Sequence, residues 1–395
     1  MPLAYNQEVI NGILFTFHFQ KELPFFAHQK LIEITGVEVM SQEQVTEFFK
    51  MIDNGEFRLQ KEVENVTLAQ VLNVPNFVEK YLDIETRLRL RKTCTTIRET
   101  LNEKPLFIDC LKYKCNINCI EISTNEGFKV SYEITEGGLN VKNGEKVNLI
   151  NATNEEKVEI IQRDLMSIFG SEKLRIDTFE IENYKKHVEA QFGSIALRNT
   201  LNEVPNKLKI RNLKYGVEEV NEVLIETLKT IDPESLKFLR LFVLQFAYFW
   251  TPVVDLYNLQ QWKCLKSLKV FYRVLVISDI IRFYTHVDNA HLEIDGFYSY
   301  SNYTPLHTSI MMIKDKLLQN PNLKQFKMEA CFGMMNRAFE NVKASLQQYN
   351  TNNAPHPCWI SIPYPNSDKK LEILVDKMII WFKGPCYVEG DEFEQ

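Results

Sequence analysis

Three cysteines stand close together in the sequence, at Cys110, Cys115 and Cys119. Thiolates are good zinc ligands, but a structural zinc site needs four ligands. The sequence has no histidine between His28 and His187 that could complete the set. We therefore expect Cys115 and Cys119 to share one face of a strand as buried apolar side chains, and we expect no metal.

Catalytic motifs are missing from the sequence. It contains no phosphate-binding glycine loop, nucleophile elbow, zincin helix or dinucleotide-binding glycine cluster. Its seven histidines are scattered singly. The sequence therefore predicts a protein that is not an enzyme and that carries no cofactor.

Composition and charge narrow the class of protein further. The chain has 395 residues, of which 45% are hydrophobic and 25% are charged, which is typical of two or three globular domains. With a net charge of -6, the chain as a whole lacks the positive electrostatic field of a strong nucleic-acid binder. Eight cysteines without a dense framework suit a reducing compartment better than a disulfide scaffold.

The sequence carries no clear targeting or membrane signal. Its first twenty residues have no cationic lead before the apolar stretch, so they do not resemble a signal peptide. The most apolar window, 238–254, is shorter than the ~20 residues of a membrane span. We expect this window to be a buried core segment. We expect the protein to make no membrane contact and to be cytoplasmic or nuclear.

Residues 1–60 are predicted to be helical. Ile10, Ile13, Leu14 and Phe17 have the spacing of one helix face. Ser41 followed by Gln44 is a capping box, which predicts a helix of about a dozen residues ending near Asn54-Gly55.

This first block resembles the helix-turn-helix at the start of mariner-type transposases, through segments 9–17, 27–36 and 45–57. Such a module reads DNA by placing its second helix in the major groove. Residues 1–60, however, contain four Lys and Arg against eight Asp and Glu, a net charge of -4. Because phosphate contacts need cations, we expect the module to contact protein rather than DNA.

Residues 66–104 form a second helical block, which is expected to break at Pro75. We expect its last helix to carry apolar residues on one face and arginines on another. The apolar positions are Leu90, Cys94, Ile97 and Leu101, and the basic positions are Arg87, Arg91 and Arg98.

The stretch 82–98 resembles the second and third helices of an F-box, in the form typical of large nematode F-box families. The resemblance implies docking on the Skp-type adaptor of a cullin-RING ubiquitin ligase. The matching positions are Pro75, Leu82, Leu88, Leu90, Cys94 and Ile97. The interval from Pro75 to Leu82 is shorter than in the family, and Val74 replaces the usual leucine before the proline. An ordinary amphipathic helix with a solvated basic face is the alternative.

Residues 105–150 read as a β linker segment, with a strand at 117–123, a turn at 125–127 and an antiparallel partner at 128–134. Between 155 and 385, helices alternate with short apolar strands. Strand-like pieces near Leu239, Leu268, Leu292 and Phe326 recur at intervals of 29, 24 and 34 residues.

This loose period favours an irregular leucine-rich-repeat-like α/β solenoid over an unrepeated α/β domain. The predicted fold class is therefore α+β or α/β: a helix-turn-helix, a helical F-box, a short antiparallel segment and the solenoid. An acidic tail at 386–395 is expected to be disordered.

The segment Gln260–Lys266, with 231–239 before it and 280–283 after it, resembles the FTH domain that follows the F-box in one nematode family. The order helix-turn-helix, F-box, β segment and FTH domain is itself an arrangement of that family. In this resemblance Gln261, Trp262 and Lys266 are structural, with Trp262 anchoring a turn.

The sequence thus predicts a substrate-recognition subunit of an SCF-type cullin-RING ubiquitin ligase. Its F-box would bind the Skp-type adaptor and through it the cullin, while the C-terminal domain would bind a target protein. The alternative is a non-catalytic regulatory protein that binds protein or nucleic acid and no longer engages the ligase.

Overall fold

The computed structural model describes residues 5–57, 68–116, 118–183, 191–217, 222–243, 253–272, 277–297, 305–349 and 359–390. The chain divides into two compact units. The helical unit comprises Met1–Phe107 and Gly170–Leu174, and the sheet unit comprises Ile108–Phe169 and Arg175–Gln395. Within the described ranges, no helix combines the length and the apolar character that crossing a membrane requires.

The helical unit begins with α1 (Gln7–Phe19), α2 (Pro24–Thr35) and α3 (Gln42–Asp53), whose apolar faces share one core. The predicted capping box is confirmed at the start of α3. The Gln44 N–H donates to the Ser41 hydroxyl at 3.3 Å, and the Ser41 N–H donates to the Gln44 side chain at 2.8 Å. These bonds satisfy backbone donors that a helix start leaves unpaired.

Four short helices follow in the same unit: α4 (Leu68–Leu72), α5 (Phe77–Tyr81), α6 (Ile84–Leu90) and α7 (Thr95–Asn102). The predicted break at Pro75 is confirmed, because the chain turns there between α4 and α5. Asn76 makes the turn possible by adopting a left-handed φ of 61°, which asparagine tolerates better than most residues.

The predicted last helix of this block is wrong, because the structure has two helices in its place. α6 ends at Leu90, and Cys94 is an extended, exposed residue in front of α7. The Thr93 hydroxyl donates to the Leu90 carbonyl at 2.7 Å, and such side-chain bonds compete with helix continuation. Cys94 consequently does not share an apolar face with Leu90 and Ile97.

The predicted basic face is also wrong at Arg87, which is only 6% exposed. Its guanidinium donates to the Val78 carbonyl at 2.9 Å and to the Pro105 carbonyl at 2.7 Å. Arg87 therefore ties α6 to α5 and to the segment after α7. Arg98 is exposed and Arg91 is half-buried.

The sheet unit is built on a mixed sheet of 14 strands, in the order β12-β13-β14-β11-β10-β9-β8-β7-β6-β1-β2-β3-β4-β5. Because β12 and β5 are the two edges, the sheet is open. The strands are β1 (Leu106–Cys115), β2 (Cys119–Thr124), β3 (Lys129–Thr135), β4 (Gly138–Asn143), β5 (Lys146–Asn151), β6 (Leu174–Asn183), β7 (Lys209–Val217), β8 (Phe238–Val243), β9 (Ser267–Tyr272), β10 (Asn289–Gly296), β11 (Gln325–Phe332), β12 (Ile360–Pro363), β13 (Lys370–Val375) and β14 (Ile379–Lys383).

Helices occupy the connections of this unit: α8 (Asn154–Phe169), α9 (Gln191–Glu203), α10 (Glu222–Thr230), α11 (Val253–Asn258), α12 (Gln260–Lys263), α13 (Ile277–Asp279), a π-helical turn at Ile280–Tyr284, α14 (Leu306–Leu317) and α15 (Asn336–Gln347). The predicted mixture of helices and strands is thus confirmed as a mixed α+β fold.

β1 to β5 are antiparallel neighbours. The predicted hairpin is confirmed: β2 and β3 pair across a turn in which Gly127 has a φ of 96°. Residue 117, the first of the predicted strand, lies outside the described residues, as do residues 391–395 of the predicted acidic tail.

β6 to β11 are parallel and lie side by side in chain order. The strands expected near Leu239, Leu268, Leu292 and Phe326 are confirmed as β8 to β11. Parallel connections of this kind are almost always right-handed, so the helices lie on one face, where α8 contacts α9 and α9 contacts α10. A leucine-rich-repeat solenoid stays a prediction.

Under those helices, six side chains meet in register across β6 to β11, and each is fully buried. We call them the apolar ladder: Phe179, Leu213, Leu239, Leu268, Ala290 and Phe326. Because side chains alternate along a strand, the residue after each ladder position must point to the opposite face, which we call the open face.

Replacing Arg87 by methionine should loosen α5 to α7, since two carbonyls lose a charged hydrogen-bond donor at a cost of about 2 kcal/mol. Amide hydrogen exchange of residues 68–102 should then accelerate about thirtyfold. Arg89→Met is the matched control, because the Arg89 side chain is 60% exposed in its ion pair with Glu85. Equal exchange in the two variants would contradict the structural role of Arg87.

Candidate functional site

The three clustered cysteines do not converge. Cys115 pairs with Ile120 in the sheet, so Cys119, the neighbour of Ile120, faces the other way; the expected shared face is wrong. Burial raises the pKa of the Cys110 and Cys119 thiols, which disfavours the thiolate that metals and electrophiles need. Across the described ranges, no group of three or more potential metal-ligating side chains comes together.

The residues that match the F-box pattern divide by exposure. Leu82 is 6% exposed and Ile97 is 5% exposed, and both belong to the core of the helical unit. Leu88 and Leu90 are half-buried, and Leu90 packs against that core. The two remaining matches, Pro75 and Cys94, are exposed. A partner could therefore reach four of the six positions.

The three residues of the FTH-like motif make packing contacts. The Gln261 amide donates to the Ile231 carbonyl at 2.7 Å. Trp262 is 1% exposed and its indole N–H donates to the Phe283 carbonyl at 2.9 Å. Lys266 lies outside, 3.4 Å from the Asp288 carboxylate. These bonds connect α12 to β8's entry loop and to the following π-helical turn.

The open face carries a feature that the sequence reasoning missed. Five basic residues stand side by side on five adjacent strands, each in register with the next. We call them the basic row: Lys214, Arg240, Lys269, His291 and Lys327. Each follows directly after a ladder residue.

A short repeated pattern could have found the basic row. The strands share a four-residue pattern: an apolar residue, a basic residue, a second apolar residue and then Gly, Phe or Glu. The five occurrences are 213–216, 239–242, 268–271, 290–293 and 326–329. The loose spacing of 24 to 34 residues revealed the strands, but the pattern within each strand shows which side chains share a face.

One end of the basic row is neutralised by carboxylates. Glu293 lies 3.4 Å from the Lys269 ammonium, and Glu329 lies 2.8 Å from Lys327 and 3.2 Å from His291. Burial and the Lys327 ammonium lower the pKa of His291. The Lys327 ammonium also lowers the pKa of Glu329. A neutral imidazole between two lysines reduces the repulsion that adjacent like charges cause.

The other end of the row borders a cleft of about 240 Å³ over β6, β7 and β8. The cleft exists because Gly216 sits between Glu182 and Phe242 in register, so a side chain is missing from the sheet surface there. Its open-face lining consists of Glu180, Glu182, Lys214, Gly216, Arg240 and Phe242.

The cleft continues into an aromatic pair. Phe242 and Phe271, neighbours in register on β8 and β9, stack with centroids 4.7 Å apart and an interplanar angle of 20°. Both side chains are half-buried. The accessible parts of the two rings lie beside the cations of the row, so this end of the open face combines cations with an apolar platform.

Comparison with known proteins bears on the same region. Residues 194–344 match the family model of the FTH domain. This FTH domain begins in α9 and ends in α15, so it contains the whole basic row, the stacked phenylalanines and Trp262. No curated protein matches the sequence.

Among solved structures, the chain is similar to the crystal structure of the Mos1 strand transfer complex. The similarity covers 53% of this chain and 77% of that chain, at 12% identity and a TM-score of 0.15. A TM-score this low does not indicate a shared fold.

Acid should destabilise the sheet unit through His291, which faces Lys269, Lys327, Glu293 and Glu329. Its pKa is lowered in the folded protein, so below the ordinary value of ~6.5 the unfolded chain binds the proton more readily. The contribution of neutral His291 to the stability of the folded protein is complete above pH ~6.5 and is lost as the pH falls below it. Thermal unfolding midpoints should therefore drop less between pH 7.5 and 5.5 in His291→Gln than in wild type; an identical drop would contradict this.

Proposed function

We propose that this protein is the substrate-recognition subunit of an SCF-type cullin-RING ubiquitin ligase. The observation that supports it most is the FTH domain at 194–344, because that domain usually accompanies an F-box. The F-box-like block at 66–104 precedes it in this chain. The nematode-type arrangement and a cytoplasmic or nuclear location belong to the same proposal.

The proposal assigns a separate task to each unit. The helical unit binds the Skp-type adaptor, and through it the cullin, while the open face of the FTH domain binds the target. No covalent chemistry is assigned to this chain. Its contribution is effective concentration, since a target held on the same scaffold as the ligase reacts as if intramolecularly.

In the helical unit, the adaptor contact is assigned to the accessible matches. Leu88 and Leu90 lie in the last turn of α6, and Cys94 lies just before α7. Half-buried leucines at such a corner can fill pockets of a partner while their inner atoms stay in the core. Leu82 and Ile97 support that corner from within.

Truncating Leu88 and Leu90 together should weaken adaptor binding by about 2 kcal/mol, or roughly thirtyfold, because each removes apolar area from the contact. Co-purification of full-length wild type and Leu88→Ala, Leu90→Ala with the Skp-type adaptor measures this. Circular dichroism must show that the variant is folded.

Cys94→Glu is a second variant that spares the core, because Cys94 is exposed, and it should also lower recovery of the adaptor. Leu68→Ala is the matched control, since Leu68 is an exposed leucine of α4 outside the matching positions. Undiminished recovery with both folded variants would remove the F-box assignment.

A second candidate function is a regulatory protein that binds nucleic acid or protein without the ligase. The helix-turn-helix resemblance and the short interval between Pro75 and Leu82 favour it. On α3, which matches the recognition helix, the exposed side chains include Gln42, Glu43 and Glu47, and Lys50 lies 4.0 Å from Glu47. This surface suits a protein partner better than phosphates.

A salt titration with a labelled 20-base-pair duplex of arbitrary sequence separates these candidates. We expect no binding whose affinity falls steeply between 50 and 200 mM salt, because α3 offers few cations for phosphate contacts. A steep fall in the affinity of the full-length chain, lost on Lys50→Ala, would favour the second candidate.

A further inference from the structure

We infer that the cleft over Gly216 is a recognition site for an acidic side chain that stands next to an aromatic one in an extended segment of the partner. This deepens the proposed function, on which it rests, by naming what the open face of the FTH domain recognises. The contact points are Arg240 and Lys214 for the carboxylate and the Phe242–Phe271 pair for the aromatic ring.

The first step is the charge of the basic row. Cations directly opposite one another on adjacent strands repel and destabilise a sheet. Carboxylates offset this cost at Lys269 and Lys327. Arg240, in contrast, forms no ion pair with any residue in the described part of the chain. The carboxylates of the cleft, Glu180 and Glu182, lie 3.9 and 3.1 Å from the ammonium groups of Lys112 and Lys114 on β1. An external carboxylate would therefore give Arg240 the partner that it lacks within the described part of the chain.

The second step is the shape of the cleft. A volume of about 240 Å³ is below the roughly 300–1,000 Å³ typical of pockets for whole small molecules. It suits one or two side chains that enter from a larger partner. The guanidinium of Arg240 can donate two parallel hydrogen bonds to such a carboxylate, in the bidentate geometry that arginine favours.

The third step is the aromatic platform beside it. Phe242 lines the cleft and stacks on Phe271, so a residue adjacent to the bound acid would meet these rings. Aromatic side chains gain from offset or edge contacts of this kind beyond their buried area.

The carboxylates on the open face favour a protein segment over a nucleic acid as the anionic partner. Glu180 and Glu182 line the cleft, and Glu293 and Glu329 flank the other end of the row. A nucleic acid presents a phosphate at every nucleotide and would meet these carboxylates repeatedly. A protein segment can place one acid at Arg240 and uncharged residues elsewhere, so the charge pattern favours protein.

The test is a selection of random twelve-residue peptides displayed on phage against the immobilised full-length chain. Wild type should enrich Asp or Glu next to Phe, Tyr or Trp. Arg240→Glu should lose this enrichment, and Gly216→Val, which fills the cleft without changing charge, should lose it too. Arg211→Glu is the matched control, since Arg211 is a 68% exposed arginine of β7 paired with Asp177, and it should keep the enrichment.

The most enriched peptide, made synthetically, should bind Arg240→Glu at least about thirtyfold more weakly than wild type, as expected for a lost charged contact. Absence of acid enrichment, or equal binding to both proteins, would overturn the inference. Tighter binding of a peptide with phosphoserine in place of the acid, or of a single-stranded 15-mer of uridine, would also overturn it.

Adaptor recovery with the cleft variants separates this inference from the proposed function. Arg240→Glu and Gly216→Val should co-purify with the Skp-type adaptor as wild type does, because they lie outside the helical unit. Peptide selection that fails while adaptor binding persists would overturn the recognition site alone. Selection that succeeds without adaptor binding would overturn the ligase assignment and leave the site in place.

Discussion

The apolar ladder is the constraint on which the sheet unit depends. Each of its six members is fully buried beneath the helices, and each must stay in register with its neighbours, because a shift by one residue would expose the whole set. Strand alternation then fixes the opposite face without further choice. The residue after every ladder member points away from the helices, and at β7 to β11 that residue is basic. The core therefore determines which positions face away from the helices. The residue type at those positions could change during evolution without altering the ladder.

The open face shows how the protein tolerates that arrangement. Towards β11, two lysines and a histidine of the row are held by carboxylates two residues further along the strands, and the lowered pKa of His291 favours its neutral form between the lysines. Towards β6 the corresponding positions are Gly216, Phe242 and Phe271. At one end of the sheet surface the carboxylates pair with the cations of the row. At the other end Gly216 leaves a gap between Glu182 and Phe242, beside the stacked rings of Phe242 and Phe271.

Local patterns predicted the elements better than their arrangement. The capping box at Ser41, the break at Pro75 and the strands near Leu239 and Leu268 each depend on residues close in sequence, and all are confirmed. One error arose where contacts between separate helices decide, whereas the split of the predicted last helix accompanies the local hydrogen bond from Thr93 to Leu90. Arg87 was expected in solvent, but carbonyls nine and eighteen residues away bury it. The cleft could not be predicted, because it depends on the register that places Gly216 between two side chains of other strands.

In the helical unit, a leucine that is fully buried in the core cannot also contact a partner. A continuous amphipathic helix from 87 to 101 would have turned one apolar stripe inward and left polar side chains outside. The turn at 91–93 rotates α7 independently of α6, so that Ile97 and Leu101 serve the core while Leu88, Leu90 and Cys94 retain exposed atoms. Buried Arg87 holds α6 to α5 and to the segment after α7 by donating hydrogen bonds to the Val78 and Pro105 carbonyls. Shortening of the helices thereby preserves an accessible corner, which a docking role for this block requires.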